Sequence, residues 1–303
     1  MNASHRPLVK VGPGRSAGLG ADRGADFGGI LHHWSPAPVP RASLWLHGLG
    51  LLAVAAEPAV WPQVLGLVAC NHALLGALMH PRSALLGPIM VRLPASQPRA
   101  VALTFDDGPD PAVTPRVLDL LDHAGARASF FAIGERAQRH GALLREVVRR
   151  GHTVENHSHR HRASFACGGL GALRREVVRA QQAIADATGV APRCFRAPMG
   201  LRSPLLDPVL ATEGLRLVAW TRRGYDTRPG DPRRVLDRLV SGLAGRDILL
   251  LHDGGLPNGA AGVPPVLAVL PALLARIAKA GLSAVSLAGV PSRPEAAGAA
   301  AGQ

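Results

Sequence analysis

The chain has 303 residues, 47% apolar and only 4% aromatic, which allows one large domain or two modest ones with a substantial core. Its formal net charge is +13, but no basic run is interleaved with aromatic residues, so a nucleic-acid-binding protein is not indicated. A basic surface still suits anionic membranes or phosphorylated substrates. Three widely spaced cysteines (Cys70, Cys167 and Cys194) indicate neither a disulfide framework nor a thiolate metal site.

The N-terminal quarter divides into two parts. Residues 1–33 are rich in Gly, Arg and Ser without periodicity, and we predict that they form a disordered segment. Residues 43–79 contain two apolar runs, each about as long as the minimum for a membrane span. Polar residues interrupt both runs, namely His47, Glu57, Asn71 and His72. Two interpretations stay open, a helical hairpin in the membrane and a pair of apolar helices packed on a soluble domain.

The charges that flank these runs predict an orientation. The connection EPAVWP between the runs has no basic residue, whereas basic residues precede and follow the pair: Arg6, Lys10, Arg15, Arg23, Arg41, Arg82 and Arg92. By the positive-inside rule, the downstream domain is expected at the cytoplasmic face of a bacterial inner membrane. A secretory signal is disfavoured because the first apolar run begins beyond residue 40.

Residues 98–290 alternate between buried-strand and helix patterns, and residues 291–303 are predicted to be a disordered tail. Strands are predicted at 100–105, 128–134, 152–155, 194–196, 216–220, 247–253 and 282–287. Helices are predicted near 112–124, 135–150, 170–188, 204–213, 232–244 and 264–280. This order predicts an α/β domain with a parallel sheet, and about seven units suit a (β/α) barrel that lacks one unit.

Polar residues follow four of these strands at their carboxyl ends, where barrel enzymes collect catalytic groups. Asp106 and Asp107 follow the first strand, ENHSHRH the third, Arg196 the fourth, and His252 ends the strand ILLLH. Alone, the two aspartates could simply form a turn or a helix cap, and the histidines a solvated cluster. Together they favour a metal site.

Three histidines alternate in ENHSHRH. If the chain turns helical at Asn156, His157 and His161 share a face and His159 points away from them. In an extended segment all three would share a face, but we favour the pair. Two imidazoles and one carboxylate suit Zn²⁺ or another divalent transition ion that activates water. A second carboxylate could then take a proton, and His252 could donate one to a leaving group.

Four motifs in order resemble those of the NodB-homology polysaccharide deacetylases, carbohydrate esterase family 4: TFDDGP (104–109), NHSHRH (156–161), RAPMG (196–200) and LLLHDG (249–254). The resemblance covers about residues 98–290 and implies a distorted (β/α)7-type barrel. It implies that Asp106 is the general base and that Asp107, His157 and His161 hold the metal. It also implies that Arg196 pairs with the base and that His252 is the general acid.

Further residues are assigned from the same resemblance. Pro198, Met199 and Gly200 are expected to line the substrate cleft, and a backbone N–H near Met199 is expected to stabilise the oxyanion. Met199 stands where the family commonly has an aromatic residue. The family's motif of Asp and Trp is only loosely present in WTRRGYDT, where Trp220 is either pocket lining or core and Asp226 is expected to orient His252.

The expected activity is metal-dependent removal of an N-acetyl group from an amino sugar. The apolar runs and the basic surface favour a lipid-linked or envelope glycan precursor as substrate, with residues 43–79 in the membrane. Two alternatives are an O-acetyl esterase that uses the same groups and a catalytically silent, membrane-anchored glycan-binding module.

Overall fold

A computed structural model describes residues 35–228, 230–256 and 262–289, so the segments predicted to be disordered, 1–33 and 291–303, lie outside the described residues. The helices are α1 (Pro38–Ala56), α2 (Trp61–Leu78), α3 (Thr114–His123), α4 (Gly134–Arg139), α5 (Gly141–Arg149), α6 (Leu170–Thr188), α7 (Leu206–Thr212), α8 (Pro232–Val240) and α9 (Pro265–Lys279). The strands are β1 (Ala100–Asp106), β2 (Ser129–Ala132), β3 (Thr153–Asn156), β4 (Cys194–Phe195), β5 (Arg216–Leu217), β6 (Arg222–Arg223), β7 (Ile248–His252) and β8 (Ser283–Val285).

All the ladders are parallel, and the strands form one curled sheet in the order β5-β4-β3-β2-β1-β7-β6, with β8 paired to the start of β1. Within the described residues no ladder joins β5 to β6, so the barrel is distorted and incompletely closed. The predicted barrel-type α/β fold is confirmed. Strand β1 lies at the centre, with six of its seven residues buried.

Each predicted strand is present, and the differences have local causes. The predicted strand 216–220 stops at Leu217 because Met90 takes over the pairing: its N–H donates to Leu217 O and its carbonyl accepts from Ala219. The predicted helix 135–150 is two helices, since His140 has non-helical backbone angles between them. The two-residue strand β6 was not predicted.

Two layers of apolar side chains enclose the sheet. One lies between the sheet and the helices, where Val117, Leu121, Leu270 and Leu273 pack against Leu103 and neighbouring strand residues. The other fills the concave side and includes Phe131, Leu250 and Trp220. Burial of these side chains on both faces explains why the strands read as continuous apolar runs in the sequence.

Helices α1 and α2 lie outside these cores. Both are long and apolar enough to cross a membrane, with 6% of the tested α1 window and none of the α2 window buried. Their polar interruptions face one another: Asn71 donates to the Ser43 hydroxyl at 2.8 Å, and the rings of His47 and His72 meet edge to face. The side chains of the two helices are therefore not packed into the domain core.

The chain after α2 is bound to the domain. The fully buried guanidinium of Arg202 donates to Ser83 O at 3.0 Å and Gly87 O at 2.8 Å, and the Arg202 N–H donates to Met79 O. These bonds attach the segment that follows α2 to the loop that follows β4.

Candidate active site

The sheet brings the four predicted strand ends to one edge. Asp106 pairs in register with His252 across β1 and β7. His157 continues from β3, and its N–H donates to Ala132 O. Arg196 follows β4 and reaches Asp106 with its guanidinium at 2.6 Å. Residues far apart in the sequence therefore meet because parallel strands end together.

Asp107, His157 and His161 form a three-ligand cluster whose candidate donor atoms lie within 4.8 Å of one another. Asp107 Oδ1 is 3.4 Å from His157 Nε2 and 3.2 Å from His161 Nε2. That oxygen is buried and has no hydrogen-bond partner. A buried carboxylate oxygen facing two imidazole nitrogens is unfavourable alone and suits a shared divalent cation, so the residues fit the metal.

The second nitrogen of His157 supports this assignment. Its Nδ1 lies 2.8 Å from the Arg196 carbonyl, which can only accept, so Nδ1 carries a hydrogen and Nε2 is free to act as a ligand. Burial alone would raise the pKa of Asp107, but the imidazoles of His157 and His161 outweigh it and hold that pKa well below its usual range. The carboxylate is therefore ionised at neutral pH.

The path of the histidine segment differs from the one predicted. The predicted helical turn at Asn156 is wrong, because the chain forms no helix there, although His157 and His161 do converge, with ring centroids 4.7 Å apart. Positive φ angles at Ser158 and His161 bend the segment back on itself. His159 points elsewhere, as predicted: it is 6% exposed, and its ring lies against Gly134.

Asp106 is held by Arg196, as the resemblance implied. Both side chains are buried, and Arg196 also donates to Thr104 Oγ1 at 2.9 Å and to Ala219 O at 3.2 Å. The guanidinium lies 4.0 Å from the centre of the Phe131 ring. Its orientation is thus fixed on several sides, and Asp106 Oδ2, 3.7 Å from His157 Nε2, lies beside the metal cluster.

His252 and Asp226 form a second fixed pair. Asp226 Oδ1 accepts from His252 Nδ1 at 2.8 Å, and Asp226 Oδ2 accepts the backbone N–H of His252 at 2.8 Å. Burial would lower the pKa of His252, but the hydrogen bond and charge of Asp226 outweigh it, so the pKa is raised. With Nδ1 engaged, Nε2 is the nitrogen left to exchange a proton.

The residues predicted to line the cleft differ in their exposure. Met199 is 57% exposed and has a φ of 57°, whereas Pro198 is buried. Gly200 has a φ of +74°, and a Cβ there would come within 2.5 Å of the Trp220 ring. Trp220 is only 6% exposed and belongs to the core of the concave side. Trp220 therefore packs beneath Gly200 as part of the core and does not form an exposed wall of the cleft.

Several supporting residues were not predicted. Asp253 Oδ2 accepts from the Thr114 hydroxyl at 2.6 Å, and burial raises the pKa of Asp253 to about 7. Arg136 donates to Asp107 O at 2.6 Å. The motif LLLHDG contained a signal for Asp253, since a carboxylate follows the strand end directly. Thr114 and Arg136 lie in segments with an ordinary helical pattern, and nothing in that pattern indicates a role at the site.

Comparison with known proteins agrees with this geometry. The sequence model of the family described as polysaccharide deacetylase matches residues 94–218. The chain is 39% identical over 161 residues to a chitooligosaccharide deacetylase of Sinorhizobium fredii, covering 52% of this chain and 74% of that protein. It is 33% identical over 165 residues to a peptidoglycan-N-acetylglucosamine deacetylase of Bacillus cereus, with the same shares covered.

A similar solved structure is that of a family 4 carbohydrate esterase from Streptomyces lividans in complex with acetate. Its TM-score is 0.56 at 33% identity, and the match covers 62% of this chain and 92% of that one. The family model covers three of the four motifs, TFDDGP, NHSHRH and RAPMG, and ends before LLLHDG.

Proposed function

The chain belongs to the polysaccharide deacetylase family, carbohydrate esterase family 4, and from that premise we propose that it hydrolyses the N-acetyl amide of N-acetylglucosamine units in a glycan. One observation carries the proposal: the Asp107–His157–His161 cluster shares one edge of the sheet with two hydrogen-bonded pairs, Asp106–Arg196 and His252–Asp226. Two of the similar proteins are named deacetylases of chitooligosaccharide and of peptidoglycan N-acetylglucosamine. A catalytically silent glycan-binding module does not require this complete set of groups.

A divalent ion fits the cluster, and we favour Zn²⁺, since two imidazoles and one carboxylate form a set of ligands that leaves positions open. Bound there, the ion would lower the pKa of water and polarise the amide carbonyl. Asp107, His157 and His161 would hold it. The Nδ1–H bond from His157 to the Arg196 carbonyl keeps Nε2 of that imidazole facing Asp107 Oδ1.

Asp106 acts as the general base. Its Oδ1 is bound by Arg196, so Oδ2, which faces the cluster, is the oxygen that accepts the proton of the attacking water. The ion pair and hydrogen bond with Arg196 fix the orientation of the buried carboxylate.

His252 acts as the general acid for the departing amine. Asp226 holds the ring through Nδ1 and raises its pKa, which favours the protonated form, so Nε2–H is the proton that can pass to the amine. The N–H of Met199 has no acceptor among the described hydrogen bonds, and we assign it to the oxyanion, because the positive φ of Met199 turns the backbone at the cleft. Pro198, Met199 and Gly200 form the cleft wall, and Trp220 supports it.

Membrane attachment through residues 43–79 is also proposed. The exposed apolar side chains of α1 and α2, such as Leu51 at 73% and Leu52 at 67%, support it, because large apolar surfaces on a soluble chain are unfavourable. With this attachment we propose a catalytic domain spanning residues 98–290 that faces the cytoplasm and acts on a lipid-linked or envelope glycan precursor. Protease treatment of intact and broken spheroplasts tests the orientation: digestion of the domain in intact spheroplasts would exclude it.

The metal site is tested by metal content. We expect Asp107→Ala and His157→Ala to lose the ion, whereas His159→Ala retains it because His159 points away from the cluster. Elemental analysis of the purified chains measures this directly. Full metal content in both ligand variants would show that the assigned site is wrong.

The activity is tested by acetate release from N-acetylglucosamine oligomers. Asp106→Asn is expected to lower turnover by about 10²–10⁴-fold while it keeps the metal, since it removes only the base. If Asp106→Asn released acetate at the wild-type rate, Asp106 would not be the base.

A further inference from the structure

A group of arginines surrounds the exposed ring of Tyr225, in the loop between β6 and α8. The guanidinium carbons of Arg223, Arg228 and Arg238 lie 5.0, 5.3 and 5.5 Å from the ring centre. Arg234, one turn before Arg238 on α8, belongs to the same group, and a cavity of about 560 Å³ opens beside the ring. The cavity is lined by Tyr225, Arg228, Asp231, Arg234, Val235 and Arg238.

The charges of this group are poorly balanced. In the part of the chain that the structure describes, none of the four arginines has a carboxylate oxygen within 4.0 Å. Asp231 is the one acidic residue among the described lining residues, and its carboxylate already accepts the Arg233 N–H at the start of α8. Contact with an aromatic face stabilises an exposed cation by only about 0.5–1 kcal/mol. The cavity therefore presents an excess of positive charge.

The arginine group is linked to the catalytic residues. Tyr225 directly precedes Asp226, which holds His252. Arg223 lies between the Tyr225 ring and the Trp220 ring, 5.5 Å from the latter, and its Nε is buried without a hydrogen-bond partner. Trp220 in turn lies 5.8 Å from the guanidinium of Arg196. The cavity is therefore connected to the catalytic residues in two ways, through the contacts of Arg223 and Trp220 and through the step from Tyr225 to Asp226 in the chain.

We propose that this cavity, bounded by Tyr225, Arg228, Arg234 and Arg238, binds a phosphate or diphosphate ester carried by the acylated amino sugar. The inference deepens the proposed function and rests on it. Guanidinium groups bind phosphate oxygens through paired N–H donors, and several of them match the charge and oxygen count of a phosphate better than those of a single carboxylate. The substrate is then a glycosyl phosphate or diphosphate, and an uncharged oligosaccharide occupies the catalytic cleft alone.

Binding of inorganic pyrophosphate to the full chain in detergent, measured by calorimetry, tests the site. We expect Arg228→Gln with Arg234→Gln to weaken binding by about tenfold or more, since two charge-assisted contacts are lost. The matched control is Arg175→Gln with Arg179→Gln, an exposed pair with the same charge change on α6. Equal affinity in wild type, variant and control would overturn the proposal.

Pyrophosphate can also bind a metal, so the titration is repeated after the chain has been treated with a chelator. The arginine-dependent part of the binding is expected to persist, and its disappearance would overturn the proposal. Because this readout needs no turnover, it stands apart from the deacetylase activity. Retained arginine-dependent binding in a chain that hydrolyses no acetamide would refute the proposed function alone.

Two further measurements identify the source of the phosphate. The KM for N-acetylglucosamine 1-phosphate is expected to rise about tenfold in the Arg228/Arg234 variant, with no change for an uncharged oligomer. Sedimentation with vesicles containing an anionic phospholipid tests the headgroup as the ligand. If the Arg228/Arg234 variant no longer binds vesicles while its KM for the sugar phosphate is unchanged, the ligand of the cavity is a lipid headgroup. That result would overturn the assignment to a substrate phosphate.

Discussion

Replacement of Asp226 by asparagine tests the acid half of the site most directly. In the wild-type chain both Asp226 oxygens accept hydrogen bonds, one from His252 Nδ1 and one from the His252 backbone N–H, each at 2.8 Å. Asparagine keeps one acceptor and replaces the other by an NH₂ group, so one of the two donors of His252 would face another donor. The variant also removes the charge that favours the protonated imidazole.

The size of the effect follows from these two losses. A hydrogen bond to a charged group contributes about 1.5–3 kcal/mol, and each 1.36 kcal/mol is tenfold in rate, so kcat/KM should fall about 10- to 100-fold near neutral pH. The sign of the pH effect is fixed, because Asp226 raises the pKa of His252. Activity that needs protonated His252 is lost as the pH rises through that pKa, and in Asp226→Asn the loss should begin at lower pH.

The assay is acetate release from an N-acetylglucosamine oligomer across a pH series, with thermal unfolding measured on the same samples. Asp237→Asn, an exposed carboxylate on α8, gives a control with the same chemical change. An Asp226→Asn enzyme with the wild-type kcat/KM, and with its activity lost at the same alkaline pH as the wild type, would show that Asp226 does not assist His252 in catalysis. A fall in kcat/KM by the same factor at every pH, with activity still lost at the wild-type alkaline pH, would assign Asp226 a purely structural role.

The motifs predicted much of the site because each catalytic group is next to a strand end. Asp106 and His252 end the apolar strands β1 and β7, and His157 and Arg196 directly follow β3 and β4. A parallel sheet places such positions along one edge whatever the remaining geometry. The sequence could therefore predict which residues meet without predicting how each side chain is directed.

The histidine segment is an example of what could not be predicted. A helical turn would have placed His157 and His161 on one face, and spacing alone cannot exclude it. In the structure, Asn156 Oδ1 accepts the Ser158 N–H and Ser158 Oγ accepts the His161 N–H, so side chains satisfy the backbone in place of helical bonds. The two rings converge through this bent loop.

The pair Asp226–His252 shows a second limit. Asp226 follows β6, whose residues Arg222 and Arg223 have no apolar pattern. They form a strand only because they pair with Leu249 and Leu250 of β7. When pairing with an adjacent strand determines the extended conformation, the residues of the strand itself need not alternate between apolar and polar. The pairing of Asp226 with His252 was therefore expected only from the resemblance of the motifs, and the residues around Asp226 gave no independent support for it.

Two further substitutions test the buried charges. Arg196→Met should destabilise the fold by about 3–5 kcal/mol in urea unfolding, because it leaves the buried carboxylate of Asp106 unpaired, and adding Asp106→Asn should recover part of that loss. No recovery in the double variant would mean that lost packing, not the unpaired charge, explains the effect. For His152, burial lowers the pKa to about 4. Its Nδ1 accepts the Ala128 N–H, which only the neutral ring can do. The unfolded chain takes up this proton below about pH 6.5, so the folded state loses stability as the pH falls from there towards 4. Between pH 7.5 and pH 5, the wild type should therefore lose about 1–2 kcal/mol more stability than His152→Gln. Parallel unfolding curves for the two chains at both pH values measure this difference, and an equal loss in both would show that His152 does not contribute to the acid sensitivity.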